Sequence, residues 1–201
     1  NGEQAPHLIY LPESKISVQK FIDDVKSMRQ VHKAVIIAVS EGLKLEKSNS
    51  ESTYGNGVVE SFGHELLSGI GKGREDIVRT EIKCKVRSIE LNVMQRCSSH
   101  ISSKTDIDEA ERIGERAVIE AMNGNTGKMM AFKRLGNTPY NIVIDTVDAS
   151  EVANKERFFP KEWITPSKND VSDAAIENFL PLIYGEQIII MKNGLPVHFK
   201  I

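Results

Sequence analysis

No apolar run in this sequence approaches the about 20 residues that a membrane-crossing helix needs. The longest, "AVIIAV" at 34–39 and "IIIM" at 188–191, fall far short. The start, "NGEQAPH", has neither the basic nor the apolar region of a secretory signal. An excess of either charge is also missing. Lys plus Arg is 26 and Asp plus Glu is 28, a formal net charge of -2, which gives no electrostatic footprint for nucleic acid or an anionic membrane. Any anion must be caught by a local site. Cysteine is scarce: Cys84 and Cys97 stand 13 positions apart, with no CxxC spacing and no clustered histidines. That pattern indicates neither a disulfide framework nor a zinc site, and the two read as reduced cytosolic thiols. No internal repeat or low-complexity tract is present. The expectation is a soluble, cytoplasmic chain without a nucleic-acid or membrane partner.

What is present is enough for a substantial core, since a chain of 201 residues buries well over half of its unfolded surface. "HLIYLPE", a helix capped by Ser17 with Val18, Phe21, Ile22, Val25 and Met28 on one face, and "AVIIAVSE" make a β-α-β unit. Its strands are short and apolar throughout, as in a parallel sheet covered on both faces. Residues 43–57 read as a polar surface excursion. "VVESFGHELLSGI" reads as a short helix, and "EIKCKVRSIEL" alternates like a strand. "TDIDEAERIGERAVIEAMNG" is the strongest helix. Thr105 is its expected cap, Asp108 stands at the box position, Ile107, Ala110, Ile113, Ala117, Val118 and Ala121 form its apolar face, and Gly124 ends it. Strands follow at "KMMAFKR" and "NIVIDTV", a helix at "DVSDAAIENFLPL", and a terminal hairpin turns at Asn193-Gly194. The fold class is α/β, a layered α/β/α arrangement with a mainly parallel sheet and a terminal β-hairpin.

Several tempting motifs fail. His64-Glu65 opens like a zinc-protease helix, but position 68 is Ser, where the second His belongs. Gly71-Lys72 resembles the end of a phosphate-binding loop, yet position 66 is Leu and Lys72 is followed by Gly73, so it reads as an ordinary loop. "KTDID" at 104–108 places two acids beside a lysine, which helix-start chemistry explains.

Glu13 and Glu41 each follow an apolar strand, and in open α/β sheets ligands bind outside the carboxyl ends of strands. Both acids stand where they accept hydrogen bonds from hydroxyl groups or merely solvate a sheet edge. Arg87 and Arg96 bracket the run "KVRSIELNVMQRC". Nine residues of continuous strand would separate them by roughly 30 Å and set them on opposite faces. Either they are unrelated surface charges, or the strand stops near Asn92, "VMQR" curls, and the two serve different places. In the second case Arg96 shares a cleft with Glu13, and Arg87 points to another surface or another subunit.

In order, "APHLIYLPE", "VIIAVSEG", "KVRSIELNVMQRCSSH" and "EAERIGERAVIEAMNGNTGKMMAFKR" resemble the C-terminal half of a phosphofructokinase, most like the bacterial pyrophosphate-dependent branch. The resemblance implies that Glu13, the acid of "LPE", holds hydroxyls of fructose 6-phosphate. It implies that Arg96, of the "QR" pair, grips the 6-phosphate, and that Arg87 reaches the phosphate in a neighbouring subunit's site. Residues 1–201 would then form the sugar-phosphate-binding portion, with the phosphoryl-donor half absent: no Gly-Gly-Asp donor loop, no Thr-Ile-Asp-Asn-Asp segment and no Met-Gly-Arg occurs. No catalytic residue and no metal ligand is expected in this chain, because the base and the Mg2+-binding acid belong to the missing half. The implied activity is transfer of a phosphoryl group from pyrophosphate to the 1-hydroxyl of fructose 6-phosphate in a glycolytic homodimer or homotetramer, the isolated 201 residues being inactive. The alternatives are ATP as donor and a non-catalytic sugar-phosphate-binding or regulatory module. One departure from the family is Val93, where many relatives carry His or Tyr.

Overall fold

A computed structural model describes residues 6–46, 58–59, 65–66 and 70–197. The chain divides into two units, Asn1–Glu90 with Phe158–Asp173, and Leu91–Arg157 with Ala174–Ile201.

The first unit opens with the expected β-α-β arrangement. Strand β1 (Leu8–Tyr10) leads through a 3-10 turn at Pro12–Ser14 and the short β2 (Ile16–Ser17) into α1 (Val18–Val31). Strands β3 (Ile37–Val39) and β4 (Leu45–Glu46) follow. β1 pairs in parallel with β3, Leu8 opposite Ile37 and Tyr10 opposite Val39, and β2 pairs in parallel with β4. Ser17 caps α1 as the sequence indicates, its side chain accepting from the Lys20 amide at 3.1 Å. Strand alternation sends Leu8 and Tyr10 inward, and helical spacing stacks Phe21, Ile22 and Val25 onto them. Each such aliphatic or aromatic side chain contributes about 1.5–3 kcal/mol when fully buried. Tyr10, with no exposed surface, donates to Asp24 Oδ2 at 3.0 Å. Burial, aided by the Asp24 charge, pushes its hydroxyl far above the ordinary tyrosine range.

Two readings of the next segment need correction. The helix expected over "VVESFGHELLSGI" is not there: of its described residues, Val58–Val59 (β5) and Glu65–Leu66 (β6) pair antiparallel. The discarded His64 lies outside the described residues, as does most of the expected excursion. The helix starts later, as α2 (Ile70–Ile82), and takes in Gly71-Lys72, which had read as a loop. Two glycines in the first turn weaken its propensity. Burial of Ile70, Ile77 and Val78 overrides that weakness.

Residues 81–91 were expected as a strand; the first two close α2 instead, leaving 83–91. Their burial alternates as a strand's does, Cys84, Val86 and Ser88 half-buried and Lys83, Lys85, Arg87 and Ile89 exposed, but no ladder is formed among the described residues. Side chains of α2 fasten the segment instead. Later in sequence, Phe158–Asp173 returns to this unit. It turns at Lys161–Trp163, closes an antiparallel bridge between Ile164 and Val171, and accepts the Ile9 amide at Asn169 O, 2.8 Å.

In the second unit a 3-10 turn at Asn92–Arg96 precedes α3 (Lys104–Met122). Strands β7 (Lys128–Asn137) and β8 (Tyr140–Asp148) form the longest ladder, antiparallel, with a bulge between Arg134 and Gly136. Short helices α4 (Ala149–Val152) and α5 (Asp173–Phe179), the latter starting at the unit boundary, and a hairpin of β9 (Met191–Lys192) and β10 (Leu195–Pro196) complete the described elements. The hairpin turns at Asn193-Gly194 as read, both residues at positive φ (53° and 81°).

The cap of α3 is Ser103 rather than Thr105. Ser103 Oγ accepts from the Asp106 amide at 3.1 Å and donates to Leu182 O at 2.6 Å. Thr105 lies within the first turn and donates to Tyr184 O. Both hydroxyls suit a cap, and the anchoring of Lys104 N on Gly185 O decides between them. The apolar face read on α3 is also only partly covered. Ile107 and Ile113 are half-buried, while Ala110, Ala117 and Ala121 are exposed, Val118 is 59% exposed and Met122, one turn on, 82%. The buried side chains of α3 are Glu109, which accepts from the Tyr140 hydroxyl, and Glu120, paired with Arg116 and Asn125.

Candidate functional site

Glu13 sits where β1 gives way to the 3-10 turn. Pro12 at the first position of that turn fixes its φ in advance. Ser14, almost fully buried, closes the turn: its hydroxyl accepts from the Leu11 amide at 3.3 Å while its own amide donates to Leu11 O at 3.0 Å. The Glu13 carboxylate is held from one side only. Oε1 accepts from the Phe159 amide at 2.9 Å, and Oε2 is buried with no hydrogen-bond partner. An ionised carboxylate only accepts, and a buried acceptor left unmade costs about 1–3 kcal/mol or more. A hydroxyl donor that reached Oε2 would relieve that cost.

Three neighbours hold this corner in place. The Phe159 ring packs edge-on against Trp163, centroids 5.8 Å apart. Gly42, just beyond β3, lies so close to Pro12 that a Cβ would meet Pro12 Cγ at 2.9 Å. Arg74 of α2, buried, donates to Leu43 O at 2.6 Å and fixes the residue after Gly42. Burial pulls its guanidinium below the ordinary arginine range. None of these three was singled out from the sequence. Gly42 directly follows Glu41 and was open to notice, whereas Phe159 stands 146 positions from Glu13 and carries no local signal. Glu41 itself is exposed.

The two arginines fall in different units. Arg87 is exposed on the outer side of the extended segment of the first unit, beside Ser88. Arg96 is the last residue of the Asn92–Arg96 turn in the second unit, also exposed. The run breaks at Asn92, whose φ of +42° ends the extended stretch where the sequence indicated. Val93, in the same turn, is exposed as well.

A groove in the second unit, lined by residues including His100, Ser103, Asp106, Leu182 and Gly185, includes none of Glu13, Arg87 and Arg96. Among the described residues, no three His, Cys, Asp or Glu side chains gather closely enough to hold a metal ion.

No protein-family model matches the sequence. The chain is similar to a pyrophosphate–fructose 6-phosphate 1-phosphotransferase of Halomonas elongata, 30% identical over 191 residues, covering 95% of this chain and 45% of that protein. It is 28% identical to the protein of the same name from Xanthomonas campestris, covering 99% of this chain and 48% of the other. Among solved structures, a pyrophosphate-dependent phosphofructokinase of Marinobacter aquaeolei superposes with a TM-score of 0.79 at 26% identity, over 96% of this chain and 44% of that one. The chain thus spans about half the length of the curated relatives it matches, and over that half its α/β fold is the phosphofructokinase fold.

Proposed function

We propose that this chain is the acceptor-sugar half of a pyrophosphate-dependent 6-phosphofructokinase. In the whole protein a phosphoryl group passes from pyrophosphate to the 1-hydroxyl of fructose 6-phosphate: the bridging P–O bond of pyrophosphate breaks, orthophosphate leaves with the bridging oxygen and the electron pair, the C1 oxygen bonds to the transferred phosphorus, and the hydroxyl proton leaves to a base outside this chain. Phosphoryl transfer depends on positioning and charge neutralisation more than on covalent chemistry. The residues of this half orient the acceptor. Glu13 Oε2 accepts from sugar hydroxyls, Arg96 forks onto the 6-phosphate, and Arg87 reaches the phosphate of a neighbouring copy's site in a homodimer or homotetramer. Mg2+ is bound by residues outside this chain, and the protein works in the cytoplasm.

The observation that carries the reading is the half-satisfied Glu13 carboxylate at the carboxyl end of a parallel strand. Similarity to pyrophosphate-dependent relatives along nearly the whole chain supports the choice of donor. The test is to assay the full-length protein with fructose 6-phosphate and either pyrophosphate or ATP. Turnover with pyrophosphate is expected. Turnover with ATP alone overturns the donor, and turnover with neither, alongside tight sugar-phosphate binding, favours a regulatory module.

A further inference from the structure

Arg87 lies on a segment that no strand ladder holds, yet a guanidinium meant for a phosphate needs a fixed origin. The half-buried side chains of Cys84, Val86 and Ser88, together with the exposed Glu90, supply it. Cys84 and Val86 pack against the core of the first unit. Glu90 Oε1 accepts from the Gly71 amide at 3.1 Å, at the start of α2. Ser88, next to Arg87, donates twice to one oxygen of Glu75: its amide to Oε2 at 2.9 Å and its hydroxyl to the same atom at 2.6 Å. Glu75 is 9% exposed. Its other oxygen, Oε1, takes Lys72 Nζ at 3.0 Å and a guanidinium nitrogen of Arg79. The Ser88 hydroxyl and amide, then Lys72, hold its carboxyl down to about 2.

We infer that Glu75 is a positioning residue for phosphate binding by Arg87, because its Oε2 grips the adjoining residue by both amide and hydroxyl and so sets where the arginine leaves the segment. A carboxylate here does what a neighbouring strand's carbonyl does in a sheet, accepting the Ser88 amide, with charge-assisted strength. Strand-like alternation then sends Ser88 inward to Glu75 and Arg87 outward. Lys72 and Arg79 flank Oε1, so the acid at the root of the segment is already neutralised and subtracts little from the field that Arg87 presents.

The inference rests on the proposed phosphate contact of Arg87, and a double-mutant cycle in the full-length protein separates the two. Arg87→Ala is expected to raise the KM for fructose 6-phosphate about tenfold or more. Glu75→Gln keeps the shape but weakens the grip. It is expected to raise the same KM about three- to tenfold with kcat and the pyrophosphate KM nearly unchanged, and to have almost no further effect in the Arg87→Ala background. Ser88→Ala, which removes only the hydroxyl bond, should move the KM in the same direction by less, and serves if Glu75→Gln does not fold. If Arg87→Ala raises the KM while Glu75→Gln and Ser88→Ala leave it alone, Glu75 has no positioning role. An equal rise in both backgrounds means general loosening, and the inference fails. If Arg87→Ala itself changes nothing, the phosphate contact of Arg87 falls, and this inference with it.

Discussion

The place of Glu13 after an apolar strand was legible, but the surroundings of its carboxylate were not. The Phe159 amide on Oε1 and the unmet Oε2 depend on a segment far along the chain. Glu13→Gln in the full-length protein should raise the KM for fructose 6-phosphate about tenfold, as expected for a lost hydrogen bond to a charged group, and leave the donor KM nearly unchanged. Thermal stability should be kept, since the side chain is not part of the core. Gly42→Ala tests the close approach from the other side. The Pro12 ring cannot swing away from a Cβ at 2.9 Å, so the turn carrying Glu13 must move, at about 1–3 kcal/mol. A lower melting temperature together with a higher sugar KM is the expected pair of readouts. Glu75 carries no motif that marks it in the sequence, and only folding shows it buried against Ser88. Its carboxyl titrates near 2 in the folded chain, below the ordinary value near 4.3. It therefore stabilises the fold above about pH 4.5, and that contribution drains away as pH falls toward 2. Acid titrations followed by circular dichroism should show Glu75→Gln losing less stability over that interval than the parent protein.

Among the elements, local signals sufficed where local chemistry decides. The β1-α1-β3 unit, the Ser17 cap and the Asn193-Gly194 turn follow from periodicity and turn residues. They failed where distant anchors decide. Ser103 and Thr105 are equally good caps on paper, and the contacts of residues 182–185 settle which one serves. Ser103→Ala should cost about 1 kcal/mol in chemical denaturation, and Thr105→Ala clearly less. The run 83–91 shows a further limit. Alternation reports which side of a segment is buried, not whether a neighbouring strand is there to pair with it. The start of α2 was misplaced because glycines at 71 and 73 mimic a loop, while the burial that favours the helix comes from Ile77 and Val78, one to two turns later.

For the whole molecule, the proposed sharing of sites between copies has a direct test. Arg87→Ala and Arg96→Ala subunits should each be weak at low fructose 6-phosphate. Hybrids of the two should recover part of the activity, because some sites then draw both arginines from unmutated positions. Verified hybrids that show no recovery would mean that both arginines act within one chain or that Arg87 does not touch the sugar phosphate. The 201 residues alone are expected to show no turnover with pyrophosphate. Their apolar surface on α3, including Val118 and Met122, should bind a hydrophobic dye more strongly than the full-length protein does.

The bond from the Phe159 amide to Glu13 also says something about time. During synthesis β1 leaves the ribosome well before the groups that complete its surroundings, the Asn169 carbonyl that receives the Ile9 amide and the Phe159 amide that reaches Glu13. Closing so long a loop comes late and is slow to form. The corner around Glu13 is therefore completed only once Phe159 and Asn169 have been made, and until then the Glu13 carboxylate is hydrated. Pulse-labelled hydrogen exchange during refolding should find the Ile9 and Phe159 amides becoming protected together, after the amides of α1.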